Sequence, residues 1–331
     1  MTRTASWLLS IGVLLFVGVL VSQDLPAIMA TLAHAGWGLL LVALFHALPL
    51  VLDAVAICLL FEPGSSRSPY RDSLLARWVG ESANSLMPAG QIGGPVLMAQ
   101  HLAQRGMRIE SAAAAITVST TLQTFAQITF ALMGVILLGA QTSHSSPGAL
   151  RTSVLIASAF LAVQVAGFYL IQRRGLFSKL IRTARRFSGR RDWSRWVTQA
   201  QAIDLAVEGT YGRSGGVTMS FLFSLAGWIA GTGEVYLIAL FLGWPVSWRE
   251  ALLLESLGQA IRGAGFAIPG ALGVQEGGYL LLGPLAGLPP DAALALSLAK
   301  RARELLLGLP GLLYLRFSSR SGAAAVGAVP P

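Results

Sequence analysis

Charge is what this sequence has least of. Only 39 of its 331 residues are charged, 24 basic and 15 acidic, about half the share of an ordinary soluble domain. A soluble chain of this length needs a charged, hydrated surface around its core, so a freely soluble globule is excluded. Cysteine is nearly absent. Cys58 stands alone, which rules out an intrachain disulfide framework and leaves it as an expected buried small hydrophobe. The four histidines, His34, His46, His101 and His144, lie far apart, with neither CxxC nor HExxH spacing. No metal and no cofactor are expected. The glycines of Gly270 to Gly278 have no preceding strand signal and no Walker lysine beside them, and no serine sits in a hydrolase turn with an assignable histidine. With no catalytic motif to support it, the chain is expected not to be an enzyme.

Long apolar runs fill the space that charge leaves. Thr31 to Leu60 holds one formal charge, Asp53, and Ser111 to Leu150 holds none. At 1.5 Å per residue such runs match a hydrocarbon layer about 30 Å thick. The expected fold is therefore all-α and polytopic, a single transmembrane domain over residues 1–320 with a flexible tail over 321–331. Six full spans are expected, at 5–21, 36–61, 111–140, 152–171, 215–243 and 291–315. The first could be read as a secretory signal, but no convincing cleavage site follows it and further spans do, so a retained helix is expected. In the 111–140 run, Thr117, Thr120, Thr124 and Gln127 recur at helical spacing and prefer a neighbouring helix or a wet cavity to lipid.

Two other segments are apolar but broken. Residues 73–106 contain Pro88, Gly90, Gly93, Gly94 and Pro95; residues 251–285 contain Pro269, Gly270, Gly273, Gly277, Gly278 and Pro284. Helix breakers at membrane depth survive only where protein or a cavity covers the freed backbone groups. Each segment reads as a re-entrant pair of half-helices, or as surface loops with amphipathic flanks. If six spans cross and both broken segments re-enter, both termini are cytoplasmic and the two breaks enter from opposite sides, as in an inverted repeat. A short echo agrees: Glu81-Ser82, Pro88 and Gly93-Gly94 return as Glu255-Ser256, Pro269 and Gly277-Gly278.

The net charge of +9 is concentrated in one loop. Residues 172–196 carry Arg173, Arg174, Lys179, Arg182, Arg185, Arg186, Arg190, Arg191 and Arg195 against Asp192 alone. In so apolar a chain this is the signature of a cytoplasmic loop resting on anionic headgroups, and no nucleic-acid partner is expected. Phe177, Leu180, Ile181 and Phe187, interleaved with the cations, suit an interfacial amphipathic helix.

Inside the spans, Asp53, Glu234, Arg262, Glu276 and Arg301 are expensive, at about 2.5 to 3.5 kcal/mol or more for each charge at the bilayer centre. They serve as internal ion pairs, as the lining of a cavity for a charged or zwitterionic lipid headgroup, or as snorkelling interfacial groups. The sharpest expectation is a central site in which Glu234 and Glu276 share Arg262 or Arg301. The breaks add amides suited to phosphate or carboxylate, although a plain kink explains their glycines equally well.

Glu81-Ser-Ala-Asn-Ser-Leu-Met-Pro-Ala-Gly-Gln-Ile-Gly-Gly94 and Ala267-Ile-Pro-Gly-Ala-Leu-Gly-Val-Gln-Glu-Gly-Gly278 resemble the two hallmark regions of a flippase-like membrane family. That family is related to the transmembrane part of lysylphosphatidylglycerol synthase, and the similarity is greatest to its hopanoid biosynthesis-associated membrane proteins. The resemblance spans Arg3 to Phe317. It implies a multi-pass bacterial inner-membrane protein that handles lipids, with membrane lipids and hopanoid-synthesis proteins as partners. Asn84, Pro88, Gly93, Gly94, Pro269, Gly273 and Glu276 match the family pattern and, with Glu234, Arg262 and Arg301, make up the candidate lipid or headgroup site. Pro95 stands where an acid often follows Gly-Gly in the family, which separates this chain from any role that acid serves.

Overall fold

The computed structural model describes residues 13–18, 21–22, 25–87, 93–141, 174–187, 194–265 and 268–326, with isolated positions between 152 and 172. The described residues form helices and turns with no sheet. In chain order the helices are α1 (Leu25–Ala35), α2 (Gly38–Phe45), α3 (Ala47–Cys58), α4 (Pro69–Leu86), α5 (Gly93–Gln104), α6 (Ile109–Gln141), α7 (Leu176–Phe187), α8 (Ser194–Gly212), α9 (Ser214–Phe241), α10 (Trp248–Ala264), α11 (Val274–Leu282) and α12 (Pro290–Val326). Three stretches are long and apolar enough to cross a membrane: Gly38–Cys58, Ile109–Gly139 and Ser214–Phe241. The chain is a multi-span helical membrane protein. Most of the 5–21 and 152–171 spans, together with the 142–148 loop, lie outside the described residues.

Several boundaries differ from the sequence expectation, each for a local reason. The 36–61 span is interrupted at His46, between α2 and α3. Pro49 has no N–H for the Phe45 carbonyl, and its ring crowds that carbonyl, so the helix bends one turn before it. Leu25–Ala35, not anticipated as an element, is helical. Helix α12 runs through Val326, so residues 321–326 extend it where a flexible tail was expected, and 327–331 lie outside the described residues. Cys58, expected to be buried, is half-buried at the end of α3. On α6, Thr120 and Thr124 each donate to the carbonyl four residues back, and Gln127 donates to the Gln259 carbonyl of the neighbouring α10.

The two broken segments resolve into paired helices, and their surroundings correspond. Helix α4 packs on α5 as α10 packs on α11, and α5 on α6 as α11 on α12. The long helices are exchanged: α4 packs on α12 and α10 on α6. Ser82 lies against Gly311 in the first of these interfaces, and Ser256 against Gly134 in the second. The Glu-Ser echo thus falls on corresponding contacts, where a glycine lets two backbones approach.

Helix α9 runs antiparallel along α2 and α3. Gly216 meets the Leu59 carbonyl, Gly227 meets Pro49 and Asp53, Gly233 meets the Phe45 ring, and the Phe241 ring meets Gly38. Gly134→Val and Gly311→Val each push a branched side chain into a serine of the facing helix. Each is expected to cost about 1–3 kcal/mol by overpacking, read as a lower unfolding temperature in detergent.

Candidate functional site

Helix α12 organises the buried charge. Lys300, Arg301, Arg303 and Glu304 lie within little more than one turn, and at 100° per residue they point in different directions. Lys300 Nζ is 2.5 Å from Glu255 Oε2 on α10, and both side chains are almost wholly buried. The Tyr279 hydroxyl donates to the same oxygen, and Gln259 donates to Oε1. Arg301 reaches Glu276 on α11 at 3.0 Å. Glu304 accepts from Arg262 of α10 at 2.6 Å and from Arg301 at 3.3 Å. Arg303 crosses to Glu234 on α9 at 3.0 Å and to Glu81 on α4 at 3.4 Å.

The second break is locked by this set. Gly270 and Ala271 have φ of +61° and +48°, and the second is a left-handed value that a side chain disfavours. Arg301 donates to both of their carbonyls. Gly273, at φ +77°, opens α11, and its N–H donates to Glu276 at 2.7 Å. Glu276 is completely buried and also accepts from Ser297. It caps its own helix and pairs with Arg301. At the first break, Asn84 accepts from the Gly94 N–H at 2.9 Å, tying α4 to α5. The Gly94 amide that was offered to an anion is therefore occupied. Pro88 lies outside the described residues.

The expected sharing of one arginine by Glu234 and Glu276 is corrected. Glu276 holds Arg301, Arg262 holds Glu304, and Glu234 holds Arg303 and His46. Asp53 pairs with Arg77 at 2.7 Å and accepts from Gln123. His46 is the residue that sequence reasoning passed over. Its Nδ1 is 2.9 Å from Glu234 and its Nε2 is 2.7 Å from Glu81. The metal-spacing test set His46 aside, yet its place three residues before a proline in an apolar run was a usable signal. Arg303 was visible as part of a charged cluster in an apolar helix. Glu81 stood in the first motif and in the echo without being assigned a role.

One cleft reaches this buried set. It is lined by His46, Trp78, Glu81, Ser82, Ser85 and Arg303, among others. The Glu81 side chain is 23% exposed there, against 2% for Glu234. The cleft therefore presents an acid, a histidine and an arginine at the junction of α3, α4 and α12.

The basic loop is a separate surface. Helix α7 carries Lys179 and Arg182, both exposed, beside Leu180, also exposed. Asp204 of α8 caps it, accepting from the Phe177 and Ser178 N–H groups at 3.0 and 2.9 Å and from the Ser178 hydroxyl. The carboxylate satisfies the free amides and faces the positive helix end. Arg174 is exposed just before the helix. Arg173, Arg190 and Arg191, and the side chains of Arg185, Arg186 and Arg195, lie outside the described residues. Neutralising Lys179 and Arg182 is expected to weaken binding to anionic vesicles by about 1 kcal/mol each, measurable by co-flotation of a protein that still folds.

The described chain thus has apolar spans, a first break tied by Asn84, a second locked by buried charge, and a small cleft at the charge network. A profile of the lysylphosphatidylglycerol synthase TM region matches residues 6–311. The chain belongs to that family. No curated protein and no solved structure matches it. The match includes both broken segments and the charged turn of α12, so the lysylphosphatidylglycerol synthase TM-region family covers the whole buried network. Membership in this flippase-like family, together with the apolar spans, fits a lipid-handling membrane protein.

Proposed function

We propose that this chain moves a lipid across or within the bacterial inner membrane, with a hopanoid or its precursor as cargo, and makes and breaks no covalent bond. The observation that carries this reading is the cleft of His46, Glu81 and Arg303. There the buried charge network meets a small cleft with room for about one water molecule. Elsewhere the charges are enclosed as pairs, as a purely structural network would be. The cargo assignment rests on the resemblance of the two motifs to hopanoid-associated proteins.

The matching packing of α4–α5–α6 and α10–α11–α12, and the antiparallel course of α9 against α2 and α3, support an inverted repeat. Six spans, two re-entrant segments and two cytoplasmic termini complete the proposed topology. Introduced cysteines should be labelled from the cytoplasm near Arg3, in 172–196 and after Leu315, and from the periplasm in 142–148. Labelling of the basic loop from outside in intact cells would reverse the orientation.

Leaflet-resolved lipid analysis of a deletion strain tests the function. Loss of the chain should trap a lipid in the inner leaflet, and wild-type protein should restore it. An unchanged leaflet distribution, with hopanoid-synthesis enzymes dispersed from the membrane, would favour a scaffold that only holds those enzymes.

A further inference from the structure

We propose that His46 is a proton-binding site through which a transmembrane proton gradient drives lipid movement; this rests on the lipid-moving reading above and adds what powers it. The imidazole has a carboxylate on each nitrogen, Glu234 Oε2 at 2.9 Å from Nδ1 and Glu81 Oε1 at 2.7 Å from Nε2. A carboxylate oxygen only accepts, so both contacts are hydrogen bonds only when both ring nitrogens carry protons. The arrangement is built for the imidazolium.

The charged groups facing His46 come from every helix packed on it. Helix α4 supplies Glu81, with Arg77 one turn before it and paired to Asp53. Helix α9 supplies Glu234, and α12 supplies Arg303, flanked by Lys300 and Glu304, which are held by Glu255 and Arg262. With its proton, His46 joins Arg303 in balancing Glu81 and Glu234. Without it, one carboxylate faces a nitrogen lone pair and the set is left with one uncompensated negative charge. One of the two contacts must then open.

Those contacts tie the bend between α2 and α3 to two different neighbours, α4 on one side and α9 on the other. Proton occupancy therefore decides whether both neighbours grip the bend or only one does. A bound proton that favours one of two arrangements shifts their populations. His46 and Glu81 also line the cleft, which gives the proton a route to the site. The proton therefore binds where the buried network meets the cleft.

The test has two arms, both with the full chain. In the first, protein labelled with 15N-histidine is placed in nanodiscs of phosphatidylethanolamine and phosphatidylglycerol, and the His46 ring signals are assigned by their loss in His46→Gln. Two protonated nitrogens at acidic pH, and the loss of one proton at alkaline pH, are expected from the two carboxylate contacts. Signals that stay unchanged across that range overturn the site. In the second arm, liposomes of the host's total membrane lipid carry the protein, and leaflet composition is read with impermeant amine- and diol-reactive reagents. A pH gradient across wild-type liposomes should shift the leaflet ratio of the moved lipid by about threefold or more. His46→Gln should give the same ratio with and without the gradient. Downhill exchange by the wild type that ignores the gradient overturns the coupling and leaves the lipid-moving reading standing. A titrating His46 with no lipid movement under any condition overturns that reading, and the coupling with it, while the proton site stands.

Discussion

Arg303→Ala is expected to remove most of the folded protein from the membrane. The guanidinium reaches Glu234 with two nitrogens at 3.1 and 3.0 Å and touches Glu81 at 3.4 Å. Its removal leaves Glu234, which is 2% exposed, with His46 alone. Breaking a buried pair by deleting one partner typically costs about 3–5 kcal/mol, because the other charge stays buried without compensation. Much of that cost belongs to the orphaned acid rather than to the lost attraction. The double variant Arg303→Met with Glu234→Gln should therefore be more stable than Arg303→Ala. Membrane abundance and unfolding temperature in detergent check both statements. Equal losses in the single and double variants would show that packing around α12, rather than charge, sets the cost.

The second large effect is functional. Glu81→Gln keeps the size of the side chain and lies at the cleft, where water can solvate what it leaves behind. Protein abundance should stay within about twofold of wild type, since partly exposed pairs contribute roughly 0–1 kcal/mol. Complementation of a deletion strain should nevertheless fail, because the His46 contact and the charge facing the cleft are lost together. Glu276→Gln tests the contrast. The sequence alone made Glu276 the first choice for function. It is completely buried against Arg301, Ser297 and the Gly273 amide, contacts that suit a structural role. Its loss should lower abundance, and whatever protein remains should still complement. Full complementation by Glu81→Gln at wild-type abundance would remove the cleft from the mechanism.

The legible and illegible parts of the site differ in a specific way. Costly residues stood out because charge in an apolar run is rare, which is how Glu234, Glu276, Arg262, Arg301 and Asp53 came to notice. Each of them proves to be in an ion pair. Their partners were not legible. Four charged residues within little more than one turn of α12 fan out around the helix, and which neighbour each one meets depends on how α4, α9, α10 and α11 are arranged around it. No spacing along the chain encodes that. His46 was hidden for a related reason: its two acids are 35 and 188 residues away.

The sequence by itself determined the class of molecule. Scarce charge and long apolar runs require a helical membrane protein, because backbone groups in hydrocarbon must be satisfied within their own helix. It also determined where the second broken segment turns, since proline and glycine act locally: the turn at 269–273 follows from Pro269, Gly270 and Gly273; the interruption at His46 was not anticipated. The clustering of cations in 172–196 was equally plain, because net charge is a count. Only the tertiary structure decided which acid meets which base, which amides were free, and where a cleft opens. Those are contacts between residues far apart in the chain, set by the close approach of α9 to α3 over small residues and by the exchange of α6 and α12 between the two halves. Burial then sorted the candidates: most charged groups are enclosed as pairs, and His46 lines the small cleft.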